Sequence, residues 1–144
     1  MADAILLVED SPDDVLFLTR ALSKAGVGNA LHVVEDGQQA LDYLAGKDRY
    51  ADRAAHPLPV LVLLDLKLPY VPGLEVLRWI RTQETLRSVI VVVLTSSDHP
   101  ADIKRAYALG ANSFLSKPSN PDELPELIKS TVDYWLRRNV PDRS

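Results

Sequence analysis

Four strand-like runs in this chain end in a side chain that can do chemistry. Ala4-Ile5-Leu6-Leu7-Val8 runs into Glu9-Asp10, and Val60-Leu61-Val62-Leu63-Leu64 delivers Asp65. Val89 to Leu94 ends in Thr95, and Ser113 to Ser116 is followed by Lys117-Pro118. An acid that closes a buried strand lies at the carboxyl edge of the sheet, where open α/β sheets bind ligands. One such acid could simply cap a loop; the four positions together form a specific set. Three carboxylates at neighbouring strand ends repel one another and rise in pKa unless a cation neutralises them. An all-oxygen site with no His or Cys beside it suits a hard divalent ion, Mg²⁺ or Mn²⁺, which keeps waters and is completed by a phosphate. Lys117 adds a point charge for a phosphoryl oxygen, and Thr95 a hydroxyl donor. The chemistry this implies is attack by Asp65 on phosphorus to give an acyl phosphate.

Such a site needs a sheet whose strand ends converge. The central run is Val and Leu only, with no polar alternation, as in a strand buried on both faces of a parallel sheet. Ser11-Pro12-Asp13-Asp14 opens a first helix, with Ser11 as cap and the two acids at its positive end. Gly26 stops it. Leu31 to Val34 is a short strand, and a second helix follows Asp36-Gly37 and ends at Gly46. Residues 47–59 form a long, charged, proline-punctuated surface connection. Gly73 to Thr82 is the third helix. The fourth, capped by Ser97 or Asp98, carries Ile103, Ala106 and Tyr107 inward and closes at Gly110. Ser119-Asn120-Pro121 leads into the last helix, whose regular part starts nearer Pro125 because proline is costly inside a helix. Five strands alternating with five helices predict an α/β fold, a five-stranded parallel sheet with helices on both faces.

At 144 residues and 47% hydrophobic, the chain suits one domain with a real core. It contains no cysteine, hence no disulfide framework and no thiolate metal site. A formal charge of −4 gives no basic footprint for nucleic acid. No apolar run approaches the ~20 residues of a membrane span, and no leader precedes the first strand, so a cytoplasmic location is expected. His32, His56 and His99 fit no ligand spacing and are expected to be ordinary surface or loop residues.

Over nearly its whole length the sequence resembles the receiver domain of two-component response regulators. The likeness is carried by Val8-Glu9-Asp10, by Leu64-Asp65-Leu66 with Pro69 and Gly73, by Leu94-Thr95, and by Gly110-Ala111 through Phe114 to Lys117-Pro118. It implies a (βα)5 flavodoxin-like fold with Asp65 as phosphoacceptor. Glu9 and Asp10 would hold the metal, Asp10 more directly, and the backbone carbonyl of Lys67 would complete the protein ligands. Thr95 would be the switch hydroxyl, Phe114 the aromatic that moves inward behind it, and the Lys117–Pro118 bond cis. A sensor histidine kinase would be the partner, and the only reactions would be self-phosphotransfer and autodephosphorylation.

A narrower likeness, to single-domain regulators paired with phytochrome-type histidine kinases, rests on the loop before Pro57-Leu58-Pro59, on Val93-Leu94-Thr95-Ser96-Ser97, and on Tyr134-Trp135-Leu136. It implies a homodimer through the terminal helix, with Val132, Tyr134, Trp135 and Leu136 at the interface. The receiver is expected over residues 1–138, with 139–144 a short tail and no output domain. Two enzyme-like or cofactor-binding rivals fare worse. An aspartyl-phosphate hydrolase would carry a second acid where Lys67 stands. A dinucleotide site is spoiled at Gly26-Val27-Gly28, which follows a helix and has Leu31 in place of the third glycine. A receiver-shaped scaffold that binds partners without phosphorylation is the remaining alternative.

Overall fold

The computed structural model describes residues 3–142; the outermost residues of the expected receiver and tail, Met1-Ala2 and Arg143-Ser144, lie outside them. The strands are β1 (Ile5–Val8), β2 (Leu31–Val34), β3 (Leu61–Leu64), β4 (Ile90–Thr95) and β5 (Ser113–Ser116). The helices are α1 (Pro12–Lys24), α2 (Gly37–Ala45), α3 (Gly73–Thr82), α4 (Pro100–Ala108) and α5 (Leu124–Val132). All strand pairs are parallel, in the order β2-β1-β3-β4-β5. Val8, Leu64 and Val93 are in register across β1, β3 and β4, so Glu9, Asp65 and the end of β4 emerge side by side.

Alternate residues of each strand serve opposite faces, as the pleat demands. Leu6, Val8, Val62, Leu64, Val91 and Val93 pack with Tyr43, Leu77 and Ile80 on one face, which α2 and α3 cover. Ile5, Leu7, Leu61, Leu63, Val92 and Leu94 pack with Leu18, Leu22, Ile128 and Val132 on the other, beneath α1 and α5. This double cover is why β1, β3 and most of β4 read as unbroken apolar runs.

Several boundaries follow the expected local chemistry. Ser11 Oγ accepts from the Asp14 N–H, capping α1. A 3-10 turn at Pro121–Glu123 precedes α5, placing Pro125 in the helix's first turn where it loses nothing. Beyond Val132 the helix widens into a π-helical stretch, Asp133–Arg138, in which the Asn139 N–H donates to the Tyr134 carbonyl.

Other expectations need correction. The cap of α4 is His99, whose Nδ1 accepts from Ala101 N–H at 3.1 Å, while Ser97 Oγ donates to Asp102 instead. Tyr107 is half exposed rather than inward, because its hydroxyl swings out to accept the Phe114 N–H. No peptide bond among the described residues is cis, so Lys117–Pro118 is trans, the form that an X–Pro bond favours intrinsically. Val132 is fully buried against β-sheet and α1 residues, which removes it from any interface with a second copy. The 47–59 connection is organised, not merely solvated. Tyr50 is buried beside Tyr43, and Arg53 donates to the carbonyls of Tyr43, Leu44 and His56. His56 stands edge-on to both tyrosines, so it belongs to that packing.

Candidate functional site

The four strand ends do converge. Glu9 leaves β1 with only 1% of its surface exposed, and Asp65 leaves β3 with 7%, while Asp10 stands in the open beside them. One carboxylate oxygen from each of the three lies within 4.8 Å of the others. Lys117, one residue past β5, sends its ammonium to Glu9 Oε2 at 2.6 Å, Asp14 Oδ2 at 2.8 Å and Asp65 Oδ2 at 3.1 Å. Thr95, the last residue of β4, donates its hydroxyl to Asp65 Oδ1 at 2.7 Å. The Lys67 N–H reaches the same oxygen at 3.2 Å. Both oxygens of Asp65 are therefore held, one by β4 and the loop, the other by the lysine.

The loop after Asp65 is drawn in tightly. Gly73 opens α3 so close to the strand end that a Cβ there would sit 2.3 Å from the Asp65 carbonyl oxygen. Only glycine lets the helix start at that distance, and the Gly73 N–H donates to the Leu66 carbonyl to fix it. Gly37 plays the same part from the α2 side, where a Cβ would lie 1.9 Å from the Val71 carbonyl oxygen.

Electrostatically the cluster is short of positive charge: Glu9, Asp10, Asp14 and Asp65 face one lysine. Burial pushes the Glu9 carboxyl up to about 7 and the Asp65 charge adds to that rise, against the lowering effect of Lys117. Lys117 is also partly desolvated, which would lower its pKa, but its bonds to Asp14 and Glu9 outweigh this and hold it charged. A dense set of oxygen donors with a surplus of negative charge fits a hard divalent cation. Among the described residues this is the one cluster of acids, histidines or cysteines with such spacing.

Sequence reasoning missed Asp14 as a member of the site. It noted the residue only as a favourable acid at a helix N-terminus, and nothing in spacing reveals that the first turn of α1 overhangs Lys117. Phe114 is partly buried against the α2–α4 core face. The Lys67 side chain points to solvent.

The family model described as response regulator receiver domain matches residues 5–129. The chain is a receiver domain. As such it belongs to the phosphoacceptor side of two-component signalling, the side that works with histidine kinases. Among curated relatives, the receiver is 41% identical over 135 residues to the probable methanogenesis regulatory protein FilR2 of Methanothrix harundinacea, covering 94% of this chain and 84% of that one. It is 35% identical to response regulator Rcp1 of Synechocystis over 92% of this chain and 88% of that one. The Mn(2+)-bound form of Rcp1 superposes with a TM-score of 0.87, covering 97% of this chain and 99% of that one. The phosphorylated cyanobacterial phytochrome response regulator RcpA superposes with a TM-score of 0.91 at 34% identity, over 98% of this chain and 99% of that one. Among the described residues, no helix of the receiver is long and apolar enough to cross a membrane.

Proposed function

We propose that Asp65 accepts a phosphoryl group from the phosphohistidine of a sensor kinase. One observation carries this reading: Lys117, Thr95 and the acid cluster all converge on the two oxygens of Asp65. An Asp65 oxygen attacks phosphorus as the phosphorus–nitrogen bond of phosphohistidine breaks. The departing imidazole nitrogen keeps the bonding electrons and takes up a proton, and an acyl phosphate is left on the receiver. Lys117 stabilises the charge that gathers on the phosphoryl oxygens, and Thr95 is placed to donate to one of them. Glu9, Asp10 and Asp65, with the backbone carbonyl of Lys67, are the groups that would hold Mg²⁺ or Mn²⁺. Such an ion, when bound, offsets charge on the transferring group.

The phosphoryl group adds about −1.5 to −2 charges at one strand end. Thr95 and the loop after it close on that charge, Phe114 follows inward, and the surface around α4, β5 and α5 is reshaped. The likeness to RcpA supports a phytochrome-type kinase as the donor; the likeness to FilR2 supports the receiver role without that signal. In this reading the receiver spans residues 1–138 with 139–144 as its tail, works in the cytoplasm, and turns over only its own phosphate. A homodimer would form through the end of the terminal helix. Tyr134, 52% exposed and edge-on to Trp135, is the side chain best placed for that contact, with Trp135 and Leu136 partly committed to the receiver's own core.

The test is intact mass after incubation with acetyl phosphate and Mg²⁺, for wild type and Asp65→Asn. One phosphoryl mass on wild type alone, abolished by a chelator, is the expected result. Absence of phosphate from both proteins would favour the phosphorylation-independent scaffold.

A further inference from the structure

The ammonium of Lys117 has three N–H donors, and carboxylates occupy all three. Two of those acids, Glu9 and Asp65, belong to the cluster suited to a divalent ion, while Asp14 does not. This difference matters once the site is in use. Asp65 loses its carboxylate charge when it becomes an acyl phosphate, and Glu9 is drawn toward any cation bound beside it. Asp14 alone keeps an undivided interest in the lysine.

Resting on the phosphoacceptor reading above, we infer that Asp14 is a positioning residue for phosphoryl transfer, the fixed anchor that keeps Lys117 at the site while its other two partners are engaged elsewhere. Its backbone is set by the first turn of the helix. Asp14 is the third residue of α1, and its N–H donates to the capping hydroxyl of Ser11 at 3.3 Å. Its side chain is 38% exposed, so the contact it makes is with the lysine rather than with the core. The neighbouring Asp13 is exposed and supplies the helix-end charge without reaching Lys117.

The sign of the effect separates anchoring from simple charge. A carboxylate near an anionic phosphodonor repels it, so deleting the charge alone would speed phosphorylation. Losing an anchor slows it, since a misplaced catalytic group costs rate steeply. The experiment follows the rate of Asp65 phosphorylation by acetyl phosphate with saturating Mg²⁺, using Asp14→Asn, Asp14→Glu and each combined with Lys117→Ala. Asp14→Asn is expected to react roughly tenfold more slowly than wild type, less than the roughly hundredfold that a full ångström of misplacement can cost, because Glu9 and Asp65 still hold part of the lysine. Asp14→Glu is expected to recover most of the rate. In the Lys117→Ala background, Asp14→Asn is expected to change nothing further, because the two act as one unit. Asp14→Asn should still melt cooperatively and close to wild type, because Asp13 keeps an acid at the helix start. A rate equal to or above wild type for Asp14→Asn, or an undiminished loss in the Lys117→Ala background, would overturn the inference. Failure of wild type itself to take up phosphate would sink the phosphoacceptor reading instead.

Discussion

Thr95 donates its hydroxyl proton to Asp65 Oδ1 across 2.7 Å, at a place where both side chains are buried. The same oxygen accepts the Lys67 N–H, so the end of β4 and the loop after β3 meet on a single atom. Phosphorylation of Asp65 through this oxygen would take it from both donors and offer the Thr95 hydroxyl a phosphoryl oxygen in its place.

Thr95→Ala separates acceptance of phosphate from response to it. Asp65 keeps Lys117 and the acid cluster, so the variant should still gain one phosphoryl mass. The amide NMR shifts of Ser96, Ser97 and Phe114, expected to move on phosphorylation of wild type, should stay near their resting values in the variant. In urea the unmodified variant should be about 1–3 kcal/mol less stable, the cost of depriving a buried carboxylate oxygen of a donor. A full shift response in Thr95→Ala would remove Thr95 from the switch.

Divalent metal should stabilise the fold. Glu9, Asp10 and Asp65 repel one another in the resting state, and a cation that binds only the folded arrangement adds RT ln(1 + [L]/Kd), about 2.7 kcal/mol at a hundredfold excess over Kd. The expected observation is a rise in Tm with Mg²⁺ that EDTA reverses. Asp10→Asn should abolish most of that rise while raising the metal-free Tm slightly, because Asp10 is exposed and its removal relieves repulsion. A wild-type Tm indifferent to Mg²⁺ would take the acids out of metal chemistry.

Most of the fold was legible because its two strongest signals are local. Doubly buried strands such as Leu61–Leu64 show no polar alternation, and Ser11, Gly46 and Pro121 mark helix ends by chemistry confined to a few residues. The acids, Thr95 and Lys117 were legible as well, since a parallel sheet of this order must bring its strand ends together. What stayed hidden depends on side chains that act at long range. Asp14 meets Lys117 across 103 positions of sequence, and Arg53 reaches back to the last carbonyls of α2 from a segment that reads as solvated charge. Val132 reads as a widening of the helix's apolar stripe, although α1 leaves room to bury it. The exposure of Tyr107 likewise follows from a β5 amide that its spacing on α4 does not reveal.

Arg81 is a third long-range device, and its replacement should be severe. Its guanidinium donates to the Gly110 carbonyl at 2.9 Å, to those of Arg87 and Val89 at 3.0 and 2.8 Å, and to Asn112 Oδ1 at 2.8 Å. Asn112 Oδ1 in turn accepts the Val91 N–H at the start of β4. A planar fork can serve acceptors in these directions at once, whereas a lysine ammonium cannot. Arg81→Lys is expected to lose about 1.5–3 kcal/mol of stability by urea denaturation, the range for hydrogen bonds to a charged group. Phosphorylation at the opposite sheet edge should proceed at the wild-type rate under native conditions. A loss below half a kilocalorie would show that the carbonyls are satisfied equally well without the fork.

His32 should make the fold acid-sensitive. Burial lowers its pKa below the usual 6.5, and the nearby His56 lowers it further. Its ring lies 6.0 Å from Tyr43, whose other neighbours are Tyr50, His56 and the Arg53 guanidinium on its carbonyl. No acid in that group welcomes a second positive charge. The unfolded chain therefore binds more protons at this position than the folded one, so stability rises with pH. The contribution is fully present above 6.5 and is lost as pH falls through the lower folded value. Glu9 acts in the opposite sense, because a carboxyl raised from 4.5 to about 7 binds more protons when folded and favours the fold at lower pH. The wild-type curve alone would mix the two. The difference between wild type and His32→Gln isolates the histidine, and urea midpoints taken from about pH 7.5 to about pH 5 should show the variant gaining on wild type as acid is added. A constant difference across that range would mean that His32 keeps an ordinary pKa in the folded receiver.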